Sequence, residues 1–290
     1  MTSYAASKPH FRFAPSPNGA LHLGHAYSAL LNHGLAKKTG GNFSIRVEDI
    51  DITRCTPPLE AAMFDDLTWL GLEWQKPVMQ QSKRFAIYQK ALDKLIEREL
   101  IYPAFMSRGE IKKYARVEPN WPHDPDGAPL YPGLEKNWDK PTCTEAIASG
   151  TPFAWRLDME KALTLFPIDG AKDWGDVVLA RKDTPTSYHL SVVIDDAAQN
   201  ISHVVRGLDL KAATPVHLLL QNLLSLRSPC YFHHRLVLDE EGAKLSKSNK
   251  ATDLKHLRDE GATLDDILER IDWDESELET LYQSLIIQST

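Results

Sequence analysis

Phe11-Arg12-Phe13-Ala14-Pro15-Ser16-Pro17-Asn18-Gly19-Ala20-Leu21-His22-Leu23-Gly24-His25 is the stretch on which the fold turns. Its head, Phe11 to Pro15, is apolar and strand-like, and its tail opens a helix near Leu23. Such a strand–loop–helix entry offers backbone N–H groups and the positive end of a helix dipole to a phosphate, with the imidazoles of His22 and His25 beside them. About 220 residues later, Lys244-Leu245-Ser246-Lys247-Ser248 follows Gly242 and places two ammonium groups three residues apart between hydroxyls. Each signature alone is weak: an HxxH pair is common on helix surfaces, and a KxxK loop is usually solvated charge. Together they describe two halves of a triphosphate clamp.

Working outward, Ala26, Ala29, Leu30, Leu35 and Ala36 recur at helical spacing, and Gly40-Gly41 predicts a stop. Phe43 to Val47 predicts a second strand, with Glu48, Asp49 and Asp51 at its C-terminal end. Strand, helix and strand at this separation make a βαβ unit. Thr56-Pro57 predicts a helix start, and Phe85 to Leu100 an amphipathic helix. From Ile101 to Thr186 prolines are frequent, which predicts an insertion with short strands at Phe153–Leu157 and Val177–Ala180. Strands are then expected at Leu190–Ile194, Ile201–Val205 and Tyr231–Leu238, and helix from Leu254 to Leu285. The fold class is therefore α/β, a doubly wound parallel sheet with an inserted α+β subdomain and a short helical C-terminal segment. The expected divisions are 1–100, first half of the Rossmann domain; 101–187, insertion; 188–238, second half; and 239–290, basic loop and helical segment.

The 290 residues are 42% hydrophobic and 25% charged, the composition of an ordinary globular chain. No apolar run approaches a membrane span and Met1 to His10 has no signal-like core, so a cytoplasmic location and no membrane partner are expected. Cys55, Cys143 and Cys230 are scattered, as in a reducing compartment. The net charge of −7 would argue against nucleic acid. From Asp265 onward, however, there are eight acidic residues and one basic, so the body is near neutral and could carry a basic groove from Lys37, Lys38, Arg235, Lys244, Lys247 and Lys250.

The opening stretch, with Arg46-Val47-Glu48-Asp49-Ile50-Asp51, Trp69-Leu70-Gly71-Leu72, Tyr188-His189-Leu190, Val193-Ile194-Asp195-Asp196 and Val205-Arg206-Gly207-Leu208-Asp209, resembles glutamyl- and glutaminyl-type class I aminoacyl-tRNA synthetases over about residues 10–255. That resemblance implies ATP, carried with Mg2+, as a substrate held by His22, Gly24, His25, Lys244, Ser246 and Lys247. His22, His25, Lys244 and Lys247 would be the catalytic donors, the plainer alternative for His25 being to cap or pack its helix. The resemblance places glutamate on Arg12, Phe13, Ala14, Pro15, Ser16, Glu48, Tyr188 and Arg206. Glu48 suits an α-ammonium, its plainer alternative being a surface ion pair. Two arginines suit two carboxylates, glutamate over glutamine. Asp195 and Asp196 are expected to be structural or to face tRNA.

Shorter relatives carry zinc-binding cysteines in the insertion; here Ala104, Met106 and Glu135 stand at those positions, so no zinc and no other metal site is expected. Packing by Trp121, Tyr131 and Trp138 should replace it, and the resemblance implies that the insertion, 101–187, is an acceptor-type subdomain. The chain ends about forty residues after the basic loop, which is read as the lack of an anticodon-binding domain and resembles the glutamyl-queuosine tRNA(Asp) synthetase family. That family implies tRNA-independent activation of L-glutamate, then transfer to queuosine in the anticodon loop of tRNA(Asp). The alternatives are a minimal glutamyl-tRNA synthetase charging a tRNA 3′ end and an inactive RNA-binding paralogue. A monomer is the default expectation.

Overall fold

A computed structural model describes residues 8–238 and 253–289, without the side chains of 286–289. In chain order the elements begin β1 His10–Phe13, α1 Leu23–Lys38, β2 Asn42–Val47, α2 Pro57–Trp69, β3 Gln75–Gln80 and α3 Phe85–Glu97. They continue β4 Ile101–Ala104, α4 Arg108–Val117, α5 Lys140–Ala148, β5 Ala154–Leu157, α6 Met159–Leu165, β6 Val178–Arg181 and α7 Tyr188–Ala198. The last are β7 His203–Gly207, α8 Thr214–Leu223, β8 Cys230–His234, α9 Leu254–Asp259, α10 Leu264–Arg270 and α11 Glu275–Ser289. Among the described residues no helix is long and apolar enough to cross a membrane.

The first compact unit comprises residues up to 83, then 200–211, and 229 onward. Its strands β1, β2 and β3 are parallel in that order, and β7 and β8 form a parallel pair with β7 beside β1. Ser202 N–H donates to His10 O at 3.1 Å, and the His203 ring stacks on Phe11. β2 is buried from Phe43 to Val47, as a central parallel strand is, not alternating like a half-exposed one. The expected stop of α1 is present: Gly40 takes φ +60°, and Gly41 N–H closes on Ala36 O at 2.8 Å. A Cβ at Gly41 would run into the Pro9 carbonyl oxygen.

The C-terminal helices pack on this unit: Leu278 lies against the backbone of Gly34, where a Cβ would come within 3.3 Å of it. Lys38 pairs with Glu279 at 2.6 Å, and Arg235 with Glu277 at 3.1 Å. Two of the cations expected in a basic groove are thus bound by the acidic tail, while Lys244, Lys247 and Lys250 lie outside the described residues.

The second unit is Arg84–Gln199 with Ala212–Ser228. Its sheet, β4-β5-β6, is antiparallel, and β5 and β6 coincide with the short strands expected in the insertion. The strand expected at Leu190–Ile194 is instead α7. Ser187 caps the helix, and Leu190 through Asp196 are all buried, so the run lacks the polar stripe that would have betrayed helical periodicity. The compact units are also drawn differently from the expected divisions. Tyr88, Leu92 and Leu95 of α3 share one core with Val192 and Val193 of α7 and Leu219 and Leu220 of α8, so these helices belong with the insertion's sheet.

Candidate active site

Three neighbouring strands of the first unit carry the candidate amino-acid residues at their C-terminal ends, where ligands of open α/β sheets bind. Arg12 lies on β1, Glu48 directly follows β2, and Arg206 lies on β7. Both guanidiniums are nearly out of water, Arg12 at 5% and Arg206 at 4% exposure. Arg206 is held by donation from Nη2 to Leu210 O at 3.1 Å and by the Tyr231 ring, 5.1 Å from its Cζ. Its Nε faces His233 Nε2 at 3.5 Å, so that nitrogen keeps its lone pair. Burial, then the charge of Arg206, push the His233 pKa down to about 4, leaving the ring neutral at neutral pH.

Phe13, Ala14, Pro15 and Ser16 run from β1 toward α1, and Glu48 N–H donates to Pro15 O at 2.9 Å, joining this loop to the end of β2. Glu48 is half-buried, and its Oε1 accepts from Arg46 Nη2 at 3.0 Å. Arg46 has no exposure at all. Its importance was missed in the sequence, where it stands as one polar residue between Ile45 and Val47; that oddity was the available signal. Asp49 is occupied by Ser82, which donates from both N and Oγ, and Asp51 by Thr53 and Arg54.

The start of α1 gives the histidines definite chemistry. His22 is the N-cap, and its Nδ1 accepts from Gly24 N–H at 3.1 Å. His25 Nδ1 in turn accepts from His22 N–H at 3.1 Å, a reciprocal capping box made by imidazoles. The rings lie 3.8 Å apart. With both Nδ1 atoms accepting, the neutral rings carry their protons on Nε2. Capping by His25 and a donor role are therefore compatible. Gly24 is explained by the same contact: a Cβ there would lie 3.1 Å from His22 Cε1.

Lys244, Ser246 and Lys247 lie outside the described residues, but Asp253, where the description resumes, pairs with His22 in an antiparallel bridge. Leu254 N–H donates to Leu21 O at 2.8 Å. The buried Asp66 of α2 binds Arg258 of α9 at 2.7 Å, which anchors the same segment.

Tyr188 opens α7 in the second unit, edge-on to His189 and His217. Asp195 is fully buried and accepts from Arg84 Nε at 2.8 Å and Tyr88 Oη at 2.7 Å, a structural role. At the positions where the resemblance led cysteines to be sought, Ala104 and Met106 pack with Tyr102, Ile111 and Tyr131. Glu135 accepts from Tyr131 Oη at 2.6 Å and Phe105 N–H at 3.1 Å. Trp138 stacks on Phe105, and Trp121 Nε1 donates to Leu130 O at 2.9 Å.

A family model described as tRNA synthetases class I (E and Q), catalytic domain, matches residues 8–284. The glutamyl-Q tRNA(Asp) synthetase of Rhodobacter capsulatus is 44% identical over 271 residues, covering 88% of this chain and 97% of that protein. The glutamate–tRNA ligase of Aquifex aeolicus is 35% identical over 264 residues, but the chain spans 54% of its length. Among solved structures, glutamate-tRNA synthetase from Elizabethkingia anophelis superposes with a TM-score of 0.69 at 26% identity, over 83% of this chain and 53% of that one. A parallel sheet with its candidate residues at the strand ends, a histidine-capped first helix and these likenesses together show that the chain belongs to the class I (E and Q) tRNA synthetase family of ligases, in its glutamyl-Q tRNA(Asp) synthetase branch.

Proposed function

We propose that this chain activates L-glutamate with ATP, without needing tRNA, and transfers the glutamyl group to queuosine in the anticodon loop of tRNA(Asp). The observation that supports the first half is that Arg12 and Arg206 lie on neighbouring strands and Glu48 directly follows a third, β1 lying between the other two. Two buried guanidiniums and one carboxylate complement the two carboxylates and one ammonium of glutamate. Phe13, Ala14, Pro15 and Ser16 would form the wall between amino acid and nucleotide, and Tyr188 would add a hydroxyl. His22 and His25 would donate from Nε2 to phosphate oxygens, Gly24 would let the nucleotide approach, and Lys244, Ser246 and Lys247 would close over the pyrophosphate.

In this scheme a carboxylate oxygen of glutamate attacks the α-phosphorus, the bond to the β-phosphate oxygen breaks, and pyrophosphate leaves. A hydroxyl of the acceptor then attacks the glutamyl carbonyl carbon, and AMP departs. Positioning and charge stabilisation do most of the catalytic work in such displacements. Mg2+ would enter with ATP as the counter-ion of its triphosphate.

The queuosine acceptor is favoured by likeness along 97% of a protein named for that activity. Purified protein, labelled glutamate and ATP should label queuosine-containing tRNA(Asp) and leave queuosine-free tRNA(Asp) unlabelled. Equal labelling of both would instead favour charging of a 3′ end, the activity that the name of the 35% identical ligase describes. Glutamate-dependent ATP–pyrophosphate exchange is expected without tRNA; its absence would point to an inactive RNA-binding paralogue.

A further inference from the structure

The first turns of α8 read Thr214-Pro215-Val216-His217-Leu218-Leu219-Leu220, an apolar run broken by one imidazole. His217 is completely buried, and its Nε2 lies 3.1 Å from Nδ1 of His189 in the first turn of α7. That contact is a hydrogen bond only if one ring gives a proton and the other a lone pair, so the state of each ring is tied to that of its neighbour. Tyr188 completes the group. Its ring lies 5.6 Å from His189 and 5.5 Å from His217, inclined at 61° and 64°, and the two imidazoles are 5.3 Å apart. Each of the three rings therefore touches the other two. Trp174 stands edge-on to His189 at 5.5 Å, and its Nε1 donates to Ala212 O at 2.7 Å, just ahead of α8.

Stability does not account for the imidazoles. A hydrogen-bonded polar pair in a core does about as well as two apolar side chains of similar size, and leucine already prevails in α8. What a pair of leucines would lack is direction. Tyr188 is the first residue of α7, where the Ser187 hydroxyl accepts from Leu190 N–H at 3.4 Å and so fixes the backbone, not the phenol ring. Two imidazoles joined to each other and set against that ring restrict its tilt from two sides, through the preference of aromatic pairs for edge-to-face geometry. With no exposure, His217 cannot meet a small substrate itself.

We propose that His217, paired with His189, is a positioning residue for Tyr188, a role that rests on the part given to Tyr188 in the proposed function. The imidazole pair holds the phenol in the orientation from which its hydroxyl binds glutamate. The amino-acid site thereby extends to a buried side chain that glutamate never touches.

The test is a double-mutant cycle on the full chain. It is read as the glutamate Kd by calorimetry, and as the glutamate KM, ATP KM and kcat of ATP–pyrophosphate exchange. Tyr188→Phe removes the hydroxyl and should raise the glutamate Kd and KM about tenfold, the scale of one hydrogen bond to a charged partner. His217→Leu should raise both by a similar factor, with ATP KM and kcat near the parent's, and should add nothing in the Tyr188→Phe background. His217→Gln, which returns a hydrogen-bonding amide to the neighbourhood of Nε2, should bring the glutamate values back toward the parent's. Should His217→Leu fail to fold, the combination His189→Leu with His217→Leu takes its place. Replacing both partners keeps the melting temperature near the parent's, and the glutamate defect should persist. Full additivity of His217→Leu with Tyr188→Phe, or an unchanged glutamate Kd in the double leucine variant, would overturn the positioning role while leaving Tyr188 in the site. An unchanged Kd in Tyr188→Phe would remove Tyr188 from the glutamate site, and with it both the positioning role and that part of the proposed function.

Discussion

Arg46, the largest fully buried side chain among the described residues, holds Glu48 Oε1 at 3.0 Å from inside the central strand. The pair sets a buried cation beside a half-buried carboxylate at the end of β2. If Glu48 binds the α-ammonium, Glu48→Ala should raise the KM for glutamate at least tenfold with a smaller effect on kcat, since the contact is made in the ground state. Glu48→Gln keeps an acceptor for Arg46 and loses the charge. It should show the same KM defect with a near-parental melting temperature. An unchanged KM in both variants would return Glu48 to a purely structural ion pair.

Gly24→Ala separates helix stability from catalysis. Alanine inside α1 gains intrinsic helix propensity, about 1 kcal/mol, because Gly24 has ordinary helical backbone angles. Its Cβ, though, would press on His22 Cε1 at 3.1 Å and turn the ring. We expect a melting temperature equal to or above the parent's, together with loss of adenylate formation. Parental exchange activity would show that the His22 ring position is unimportant.

For His22 itself, asparagine is the informative substitution. Asparagine is a good N-cap, so His22→Asn should keep the helix start and cost less than about 1 kcal/mol in a denaturant melt. It removes the Nε2 donor, and exchange should fall by about 10²-fold, the scale of one lost transition-state donor. A loss of stability without a loss of rate would assign His22 to capping alone.

Lys247→Ala should likewise cut adenylate formation by about 10²-fold or more while sparing the fold. The measurement is glutamate-dependent ATP–pyrophosphate exchange beside a thermal melt. Retention of full exchange would remove the basic loop from the site, despite the bridge between His22 and Asp253 that brings the following segment back to the first helix.

The βαβ start was legible because its signals are local: a glycine pair stops α1, and Glu48 follows an apolar run. The Leu190–Ile194 run was misread for a physical reason. A helix buried on all sides shows no periodicity, and Val192, Val193 and Ile194 favour strand on propensity alone. Candidate groove cations were misread because pairing is non-local: Glu279 lies 241 positions from Lys38, and no short-range pattern joins them. The imidazole capping box was half legible: capping by His25 stood as an alternative, but only the Nδ1 contacts reveal that both histidines act on the backbone.

His233 gives a pH-dependent prediction of definite sign. Its pKa is about 4 in the folded chain against 6.5 for the free side chain, lowered first by burial and then by Arg206. Above pH 6.5 the ring is neutral in both states and its contribution to stability is complete. As pH falls from 6.5 toward 4 the unfolded chain takes up a proton that the folded chain refuses, and stability drops by roughly 2–3 kcal/mol. Buried His33, also lowered, acts in the same direction, whereas Asp66, raised to about 6 by burial, opposes it: its contribution falls as pH rises from 3.8 to about 6. The whole-protein slope is therefore a sum, and the variant isolates one part of it. His233→Gln retains an oxygen acceptor for Arg206 but cannot titrate, so urea melts between pH 6.5 and 4.5 should show a shallower loss than the parent. Parallel slopes would mean that His233 is already protonated beside Arg206, and that the geometry assigned to this guanidinium is wrong.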